Sequence, residues 1–382
     1  MKKVIISVTN DLVTDNRVHK VALSLQKMGF KVTLVGRKLP NSKKLDRRSY
    51  KTKRLKLFFK KGPLFYLEYN VRLLFFILQR KVDIILANDL DSLPANFIAS
   101  KRKKRPLVYD SHELFTQVPE LINRRRTQAI WERIESWILP QLEHAYTVCE
   151  SIATFYNKKY STSFQVIRNL PHREELLMVP PEKVLLADDR KIILYQGALN
   201  IGRGLEFAIK AMQYIDNARL LIAGDGDITK ALMHLVADLE LADRVTFLGK
   251  IPLSEMKYIT AQANLGLSIE EDLGLNYRYA LPNKLFDYIQ HQVPVLVSNL
   301  PEMSKIVNRY QVGMILKSHD PEQMAHQLHE ALFDMHLREH WIENLPQAAE
   351  ELCWEKEEKI LIDIFTPLKK SQGNKKESQQ TS

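Results

Sequence analysis

Short apolar runs rich in Val, Ile and Leu alternate with stretches of helical periodicity along the whole 382-residue chain. In the first half, KVIISVT, KVTLVG, VDIILAND, PLVYDS, AYTVC and FQVIRN read as strands. Near-continuous apolar runs of about four to eight residues suit strands covered on both faces. Between them lie amphipathic patterns such as Val18, Val21, Leu25 and Met28, which share one face of a helix. The alternation predicts βαβ units and parallel sheets. It breaks at LPHREELLMVPPEKVLLADDR, a polar, proline-bearing stretch with the composition of an interdomain linker. A second series follows, with KIILYQG, ARLLIAGDG, RVTFLG, LGLSI, VPVLVS and GMIL as strands. WEKEEKILIDIFTPL then predicts an amphipathic helix with Trp354, Ile360, Leu361 and Ile364 on its apolar side, and KKSQGNKKESQQTS lacks core-forming residues.

The expected architecture is α/β, two doubly wound Rossmann-like domains in tandem. The first spans 1–172, a linker 173–190, the second 191–350, a C-terminal helix 351–366 and a disordered tail 367–382. Parallel sheets of this type bind ligands beyond the carboxyl ends of their strands, so the polar residues after each strand carry the candidate chemistry.

The most informative stretch is YALPNKLFDYIQHQVPVLVSNL, Tyr279 to Leu300. Pro282 suits a first helical turn, leaving the N–H groups of Asn283 and Lys284 as donors at the positive end of a helix dipole. Lys284 and Asp287 are three apart and share a face. One end of such a helix suits a phosphate, and its carboxylate suits sugar hydroxyls, so a sugar nucleotide would satisfy both. The alternative is a surface ion pair on an ordinary helix. In YQGALNIGRGLEFAIKAM, Gly197, Gly202 and Gly204 permit close backbone approach and Arg203 offers a fork for phosphate oxygens. This is not the dinucleotide G-x-G-x-x-G pattern. Gly226 in IAGDGD and Gly249 in FLGKIP end two further strands and leave room for a flat base, or are simply strand-to-helix turns.

These segments, in this order, resemble the glycosyltransferase family 4 enzymes, a group with the GT-B fold, retaining and metal-independent. LYQGAL…GRGLEFAIKAM, LLIAGDGD, RVTFLGKIPLSEM and LPNKLFDYIQHQVPVLVS resemble the nucleotide-sugar domain. VHKVALSLQKMGFKVTLVGR and LVYDSHELF resemble the acceptor domain, and the likeness runs over roughly residues 2 to 366. It implies two facing domains with the active site in the cleft, and a C-terminal helix that crosses back onto the first domain. It also implies roles: Asp287, in place of the usual glutamate, on ribose hydroxyls; Arg203 on diphosphate; Lys284 and the Asn283 amide near the distal phosphate or sugar; and His112, in YDSHE, beside the donor sugar. Three departures stand out. Gly197-Ala198 replaces a common Gly-Arg pair, Tyr279 stands where the family has a second acid eight residues before Asp287, and the first-strand loop, TNDLVTDNR, lacks the usual glycine pair. Glu270 or Glu271 is the candidate replacement for the missing acid.

The expected activity is hexosyl transfer from a nucleoside-diphosphate sugar to a saccharide or lipid-linked saccharide, in cell-surface polysaccharide or lipopolysaccharide synthesis. A GT-B sugar-nucleotide epimerase and a degenerate nucleotide-sugar-binding scaffold are the alternatives. No cofactor and no metal are expected. Asp89-Leu-Asp91 and Asp225-Gly-Asp227 match a metal-binding D-x-D by spacing alone.

Charge adds a second partner. Residues 1–170 hold 33 Lys and Arg against 14 Asp and Glu, a net +19, whereas residues 171–382 carry −8, giving the overall +11. Between Lys43 and Val82, cations alternate with Phe58, Phe59, Phe65, Tyr66, Phe75 and Phe76. Such a segment suits either an anionic membrane surface or a core helix beside a basic loop. Nucleic acid is not expected, since no recognition motif accompanies the charge. Two cysteines, an early polar N-terminus and the absence of a long apolar span predict a cytoplasmic protein, peripheral at the inner face of the plasma membrane.

Overall fold

The computed structural model describes residues 1–13, 15–122, 124–174 and 189–370. They form two domains, Met1–Asn169 with Glu357 onward, and Leu170–Lys356. Most of the expected linker, residues 175–188, and residues 371–382 of the expected tail lie outside the described residues.

The first domain holds a parallel sheet of β1 (Lys3–Ser7), β2 (Lys31–Lys38), β3 (Lys51–Lys56), β4 (Ile84–Asn88), β5 (Leu107–Ser111), β6 (His144–Thr147) and β7 (Gln165–Val166). Their order is β3-β2-β1-β4-β5-β6-β7. Register places Ile5 opposite both Thr33 and Ile85, so β1 is central and β4 and β5 are buried along their length. Helices Asn16–Lys27, Pro63–Leu78 and Leu93–Lys103 make the crossovers around it.

The pattern-based reading found every strand of this sheet but β3. KTKRLK buries only Leu55 and pairs on one side alone, with β2. A cationic edge strand has no apolar alternation to reveal it, and its lysines discourage pairing with another chain. The segment from Lys43 to Val82 therefore contributes an edge strand and a helix, not a single amphipathic element.

The second domain holds β8 (Lys191–Gln196), β9 (Ala218–Ala223), β10 (Val245–Gly249), β11 (Leu265–Ser268), β12 (Val295–Ser298) and β13 (Gly313–Leu316), in the order β10-β9-β8-β11-β12-β13. Ile193, Tyr195, Leu220 and Ile222 pack on one face with Leu205, Leu232 and Leu328. Leu194, Leu221 and Val295 pack on the other with Leu285, Tyr288 and Met303. Burial on both faces explains why these strands read as continuous apolar runs.

The helix Trp354–Lys370 extends past residue 366, where the sequence pattern ends it. Leu368 is buried, Lys2 donates to its carbonyl at 2.7 Å and Lys369 donates to that of Met28 at 2.6 Å, which holds the last turn in place. Within the first domain, Glu357 accepts from Arg168 Nη2 at 2.6 Å and from the Arg168 backbone at 2.7 Å, and Phe365 meets Phe30 edge-on at 6.1 Å.

Candidate functional site

The strand order of the second domain reverses between β8 and β11, and such a switch point opens a crevice beyond the carboxyl ends. Gly197 follows β8 with φ +137°, and a Cβ there would lie 3.5 Å from Lys284 Cε. Gly204, at φ +72°, is sterically required, because a Cβ would fall 2.2 Å from the Ile269 carbonyl oxygen. The turn carrying Arg203 therefore lies directly on the end of β11. Gly202 accepts from the Glu271 N–H at 2.9 Å, and a Cβ on it would strike Leu273 and Tyr277.

Three charged side chains converge there. Lys284 Nζ lies 3.0 Å from Glu270 Oε1, and Arg203 Nη1 lies 3.6 Å from the same oxygen. Ser268 donates to the other oxygen, Oε2, at 3.0 Å. Glu270 is fully buried and Lys284 is 8% exposed. Burial pushes the Glu270 carboxyl up, but Lys284 and then Arg203 outweigh it, so its pKa sits below the ordinary value. The Lys284 ammonium also lies 3.8 Å above the centre of the Tyr195 ring. Arg203 stands 5.5 Å over Tyr277, and its Nε is buried without a hydrogen-bond acceptor among the described residues. Two cations face one carboxylate, so the cluster carries an excess positive charge, with Arg203 partly exposed.

Lys284 sits in the first turn of helix Asn283–Gln290, whose N-cap is Pro282. Proline thus stands one position before the first turn where the sequence reading put it. Leu285, Phe286, Tyr288 and Ile289 bury the helix against the sheet, and Asn283 is exposed at its head. Asp287 is half-buried and accepts from Gln196 Nε2 at 3.0 Å, and Gln196 Oε1 in turn accepts from Thr260 at 2.9 Å. Gly226 and Gly249 lie along the same sheet edge: Gly226 packs against the Leu199 carbonyl, and Gly249 accepts from the Gly224 N–H at 2.8 Å. Asp225 is engaged by Thr229 at 2.9 Å and Lys250 at 3.3 Å. These candidates therefore share one edge, with Lys284 and Arg203 both set against Glu270.

His112 belongs to the first domain, just after β5. Its backbone N–H donates to Asp89 Oδ1 at 2.8 Å. Its ring lies between two carboxylates, Nδ1 3.1 Å from Asp89 Oδ2 and Nε2 3.3 Å from Asp110 Oδ2. Burial pushes this imidazole down, but Asp89 and Asp110 outweigh it and hold it well above its ordinary pKa, as an imidazolium. Burial pushes the Asp110 carboxyl up, but Arg17, whose Nη2 bridges it at 2.7 Å, and His112 outweigh this and lower its pKa to about 2. Asp91 accepts from Thr9 at 2.6 Å, and burial followed by the neighbouring Asp89 raises its pKa to about 7.

Sequence spacing flagged Asp89 and Asp91 as a metal match, yet here they hold His112 and Thr9. Among the described residues no group of three His, Cys, Asp or Glu is arranged to hold a metal ion. Arg17 and Asp110 escaped the sequence reading because they are 93 positions apart. Only the fold, which sets the helix Asn16–Lys27 against the end of β5, brings them together. His19, on the helix Asn16–Lys27, bonds the Tyr50 hydroxyl at 2.7 Å.

Comparison with known proteins covers both domains. Residues 15–170 match Glycosyltransferase Family 4, and residues 181–348 match Glycosyl transferases group 1. An uncharacterized glycosyltransferase of Methanocaldococcus jannaschii is 27% identical over 184 residues, 47% of this chain and 45% of the relative. The O-antigen chain mannosyltransferase RfbU of Salmonella typhimurium is 29% identical over 167 residues, 43% of each chain. The matched part thus spans less than half of these curated relatives. Among solved structures, sucrose-phosphate synthase from Thermosynechococcus elongatus superposes with a TM-score of 0.81 at 17% identity, covering 97% of this chain and all of that one. Anabaena HepE in complex with UDP-glucose gives 0.72 at 14% identity, covering 96% of this chain and all of that one. These likenesses concern the fold, which is GT-B. With both domains matched in order, the chain belongs to the family 4 glycosyltransferases of the GT-B group.

Proposed function

We propose that the chain transfers a hexose from a nucleoside-diphosphate sugar to a saccharide or lipid-linked saccharide acceptor, with retention at the anomeric carbon. The observation that carries this reading is the convergence of Lys284 and Arg203 on one buried carboxylate at a sheet switch point. When a glycosidic bond to diphosphate breaks, negative charge grows on the departing oxygen. Fixed cations already aimed at that position stabilise the charge without reorganising during the reaction. Lys284, Arg203 and the N–H groups at the head of the Asn283 helix are such a set, and the helix dipole adds about half a positive charge. Glu270 holds the two cations in place before substrate arrives. Asp287, oriented by Gln196, is the proposed partner of ribose hydroxyls.

His112, held as an imidazolium with both ring nitrogens turned to Asp89 and Asp110, would place positive charge and a ring edge beside the transferred sugar and not act as a base. Cations and helix amides take the part a divalent metal plays elsewhere, so transfer is proposed to need no metal and to survive EDTA. The likeness to HepE in complex with UDP-glucose supports a nucleotide-sugar donor, and the likeness to an O-antigen mannosyltransferase supports a cell-surface saccharide acceptor. The proposed setting is cytoplasmic. An anionic membrane surface is a further proposed partner, through the first-domain segment around Phe58.

A thermal-shift screen against UDP, GDP, ADP and their sugars tests the donor class. A ligand at about 100 times its dissociation constant adds about 2.7 kcal/mol. Product analysis by NMR then separates the chemistries. Transfer gives free nucleoside diphosphate and an anomerically retained glycoside, whereas an epimerase gives an isomeric sugar nucleotide without any acceptor.

A further inference from the structure

The helix Pro63–Leu78 has two apolar faces. Phe65, Tyr69, Leu73, Phe76 and Ile77 are buried against the first domain. Leu64, Leu67, Val71 and Phe75 form a second stripe at helical spacing and are exposed, Leu67 to 62% and Phe75 to 59%. Beside this stripe, Phe58 is 82% exposed and Phe59 46%.

The turn that presents the two rings is held rigidly. Glu68 accepts the backbone N–H of Phe58 and that of Phe59, both at 2.9 Å, and Arg72 Nε at 2.7 Å. The Arg72 guanidinium also lies 5.2 Å over the Phe58 ring. Burial pushes the Glu68 carboxyl up, but the two N–H groups and Arg72 outweigh it, so it stays ionised and keeps the turn in place. Exposed phenylalanines are costly in water, and here an anchored carboxylate fixes them outward.

Next to Phe59, at the carboxyl ends of β2 and β3, lies a cavity of about 260 Å³ lined by Arg37, Lys38, Lys56 and Lys60, with no carboxylate in its wall. Arg37 is braced, its guanidinium 4.4 Å over Phe65 and its Nη1 donating to the Lys60 carbonyl at 3.2 Å. Its Nε is buried without an acceptor among the described residues.

We propose that this face docks on an anionic phospholipid bilayer, with the cavity seating a lipid phosphate while Phe58, Phe59 and the helix stripe enter the acyl boundary. Cations alone would suit any polyanion. A cation-lined cavity continuous with a fixed aromatic and aliphatic stripe suits a surface that is anionic outside and apolar just beneath. No described helix is long and apolar enough to cross a membrane, so the attachment is interfacial. The parallel sheet places this cavity on the edge that also carries His112. The inference does not rest on the transferase reading, since vesicle binding is scored without substrate.

The test is flotation of the full chain with phosphatidylcholine vesicles, with and without phosphatidylglycerol. Binding is expected only with phosphatidylglycerol. Lys38→Gln, Lys56→Gln and Lys60→Gln together should weaken it about a hundredfold, since each lysine near an anionic surface contributes about a factor of five. Phe58→Ser with Phe59→Ser should abolish the fraction that survives 1 M salt, where the Debye length is only about 3 Å. All five side chains are exposed, so the unfolding midpoint should hold. Equal binding to both vesicle types overturns the proposal, as does no binding to either. Tighter binding to single-stranded RNA than to vesicles, lost in the same lysine variant, overturns it in favour of a nucleic-acid surface.

Discussion

Lys284 Nζ and Glu270 Oε1 form a 3.0 Å ion pair at the carboxyl end of the second sheet, with the carboxylate fully buried. Removing one partner of such a pair strands a buried charge and costs about 3–5 kcal/mol. Lys284→Met should therefore destabilise toward the low end of that range, because Arg203 remains 3.6 Å from the same oxygen. Lys284→Met combined with Glu270→Gln should recover most of the loss, as neither charge is then left unpaired. Urea unfolding of the wild type, Lys284→Met, Glu270→Gln and the double variant reads the coupling directly. Additive losses would mean that the pair is not energetically linked.

A contrast between two glycines tests whether the Arg203 turn must touch β11. Gly204→Ala would place a Cβ 2.2 Å from the Ile269 carbonyl oxygen, so it should cost several kcal/mol and disturb the site. Gly249→Ala also has positive φ, +67°, but open space around it, and should cost only about 1–2 kcal/mol. Equal effects in thermal unfolding would count against the close approach.

Much of this was legible in the chain. Twelve of the strands are legible as short apolar runs, and the inner ones read as continuously apolar because both of their faces are covered. Lys284, Asp287 and Arg203 stand out because charge at a helix start or glycine turn after a strand is chemically conspicuous. β3 was hidden because a cationic edge strand pairs on one side and buries a single leucine. The supports of His112 were hidden for another reason. Asp110 stands two residues before His112, but Asp89 becomes a partner only through the pairing of β4 with β5, and spacing alone made Asp89-Leu-Asp91 look like a metal motif. Likewise, nothing local in Glu270 and Lys284, 14 positions apart, signals that they meet.

The charge state of His112 should appear in the pH dependence of stability. Its pKa is raised in the folded protein, so its contribution is fully present below the unfolded value of about 6.5 and fades as pH rises through the folded one. His112→Asn should flatten the alkaline side of the stability profile measured by urea unfolding. An unchanged slope there would mean the ring is neutral in the folded chain.

Asp91 works in the same sense, at lower pH. Its pKa rises from 3.8 to about 7 on folding, so the native state holds its proton more tightly and stability falls as pH climbs through that window. Asp91→Asn keeps an acceptor for Thr9 and removes the ionisation. It should stabilise the protein at pH 8 by on the order of a few kcal/mol and have little effect at pH 4. Unfolding midpoints at the two pH values decide it, and a variant destabilised equally at both would contradict the shift.

The most direct measurement is calorimetric titration of UDP, GDP and ADP into the wild-type chain, Arg203→Met and Lys284→Met, each first shown to be folded. If Lys284 and Arg203 hold the diphosphate of the donor, one nucleotide binds the wild type and each variant weakens that binding at least about tenfold, roughly 1.4 kcal/mol per lost charge-assisted contact. Nucleotide affinity unchanged in both variants would place the diphosphate elsewhere and contradict the assignment of this site.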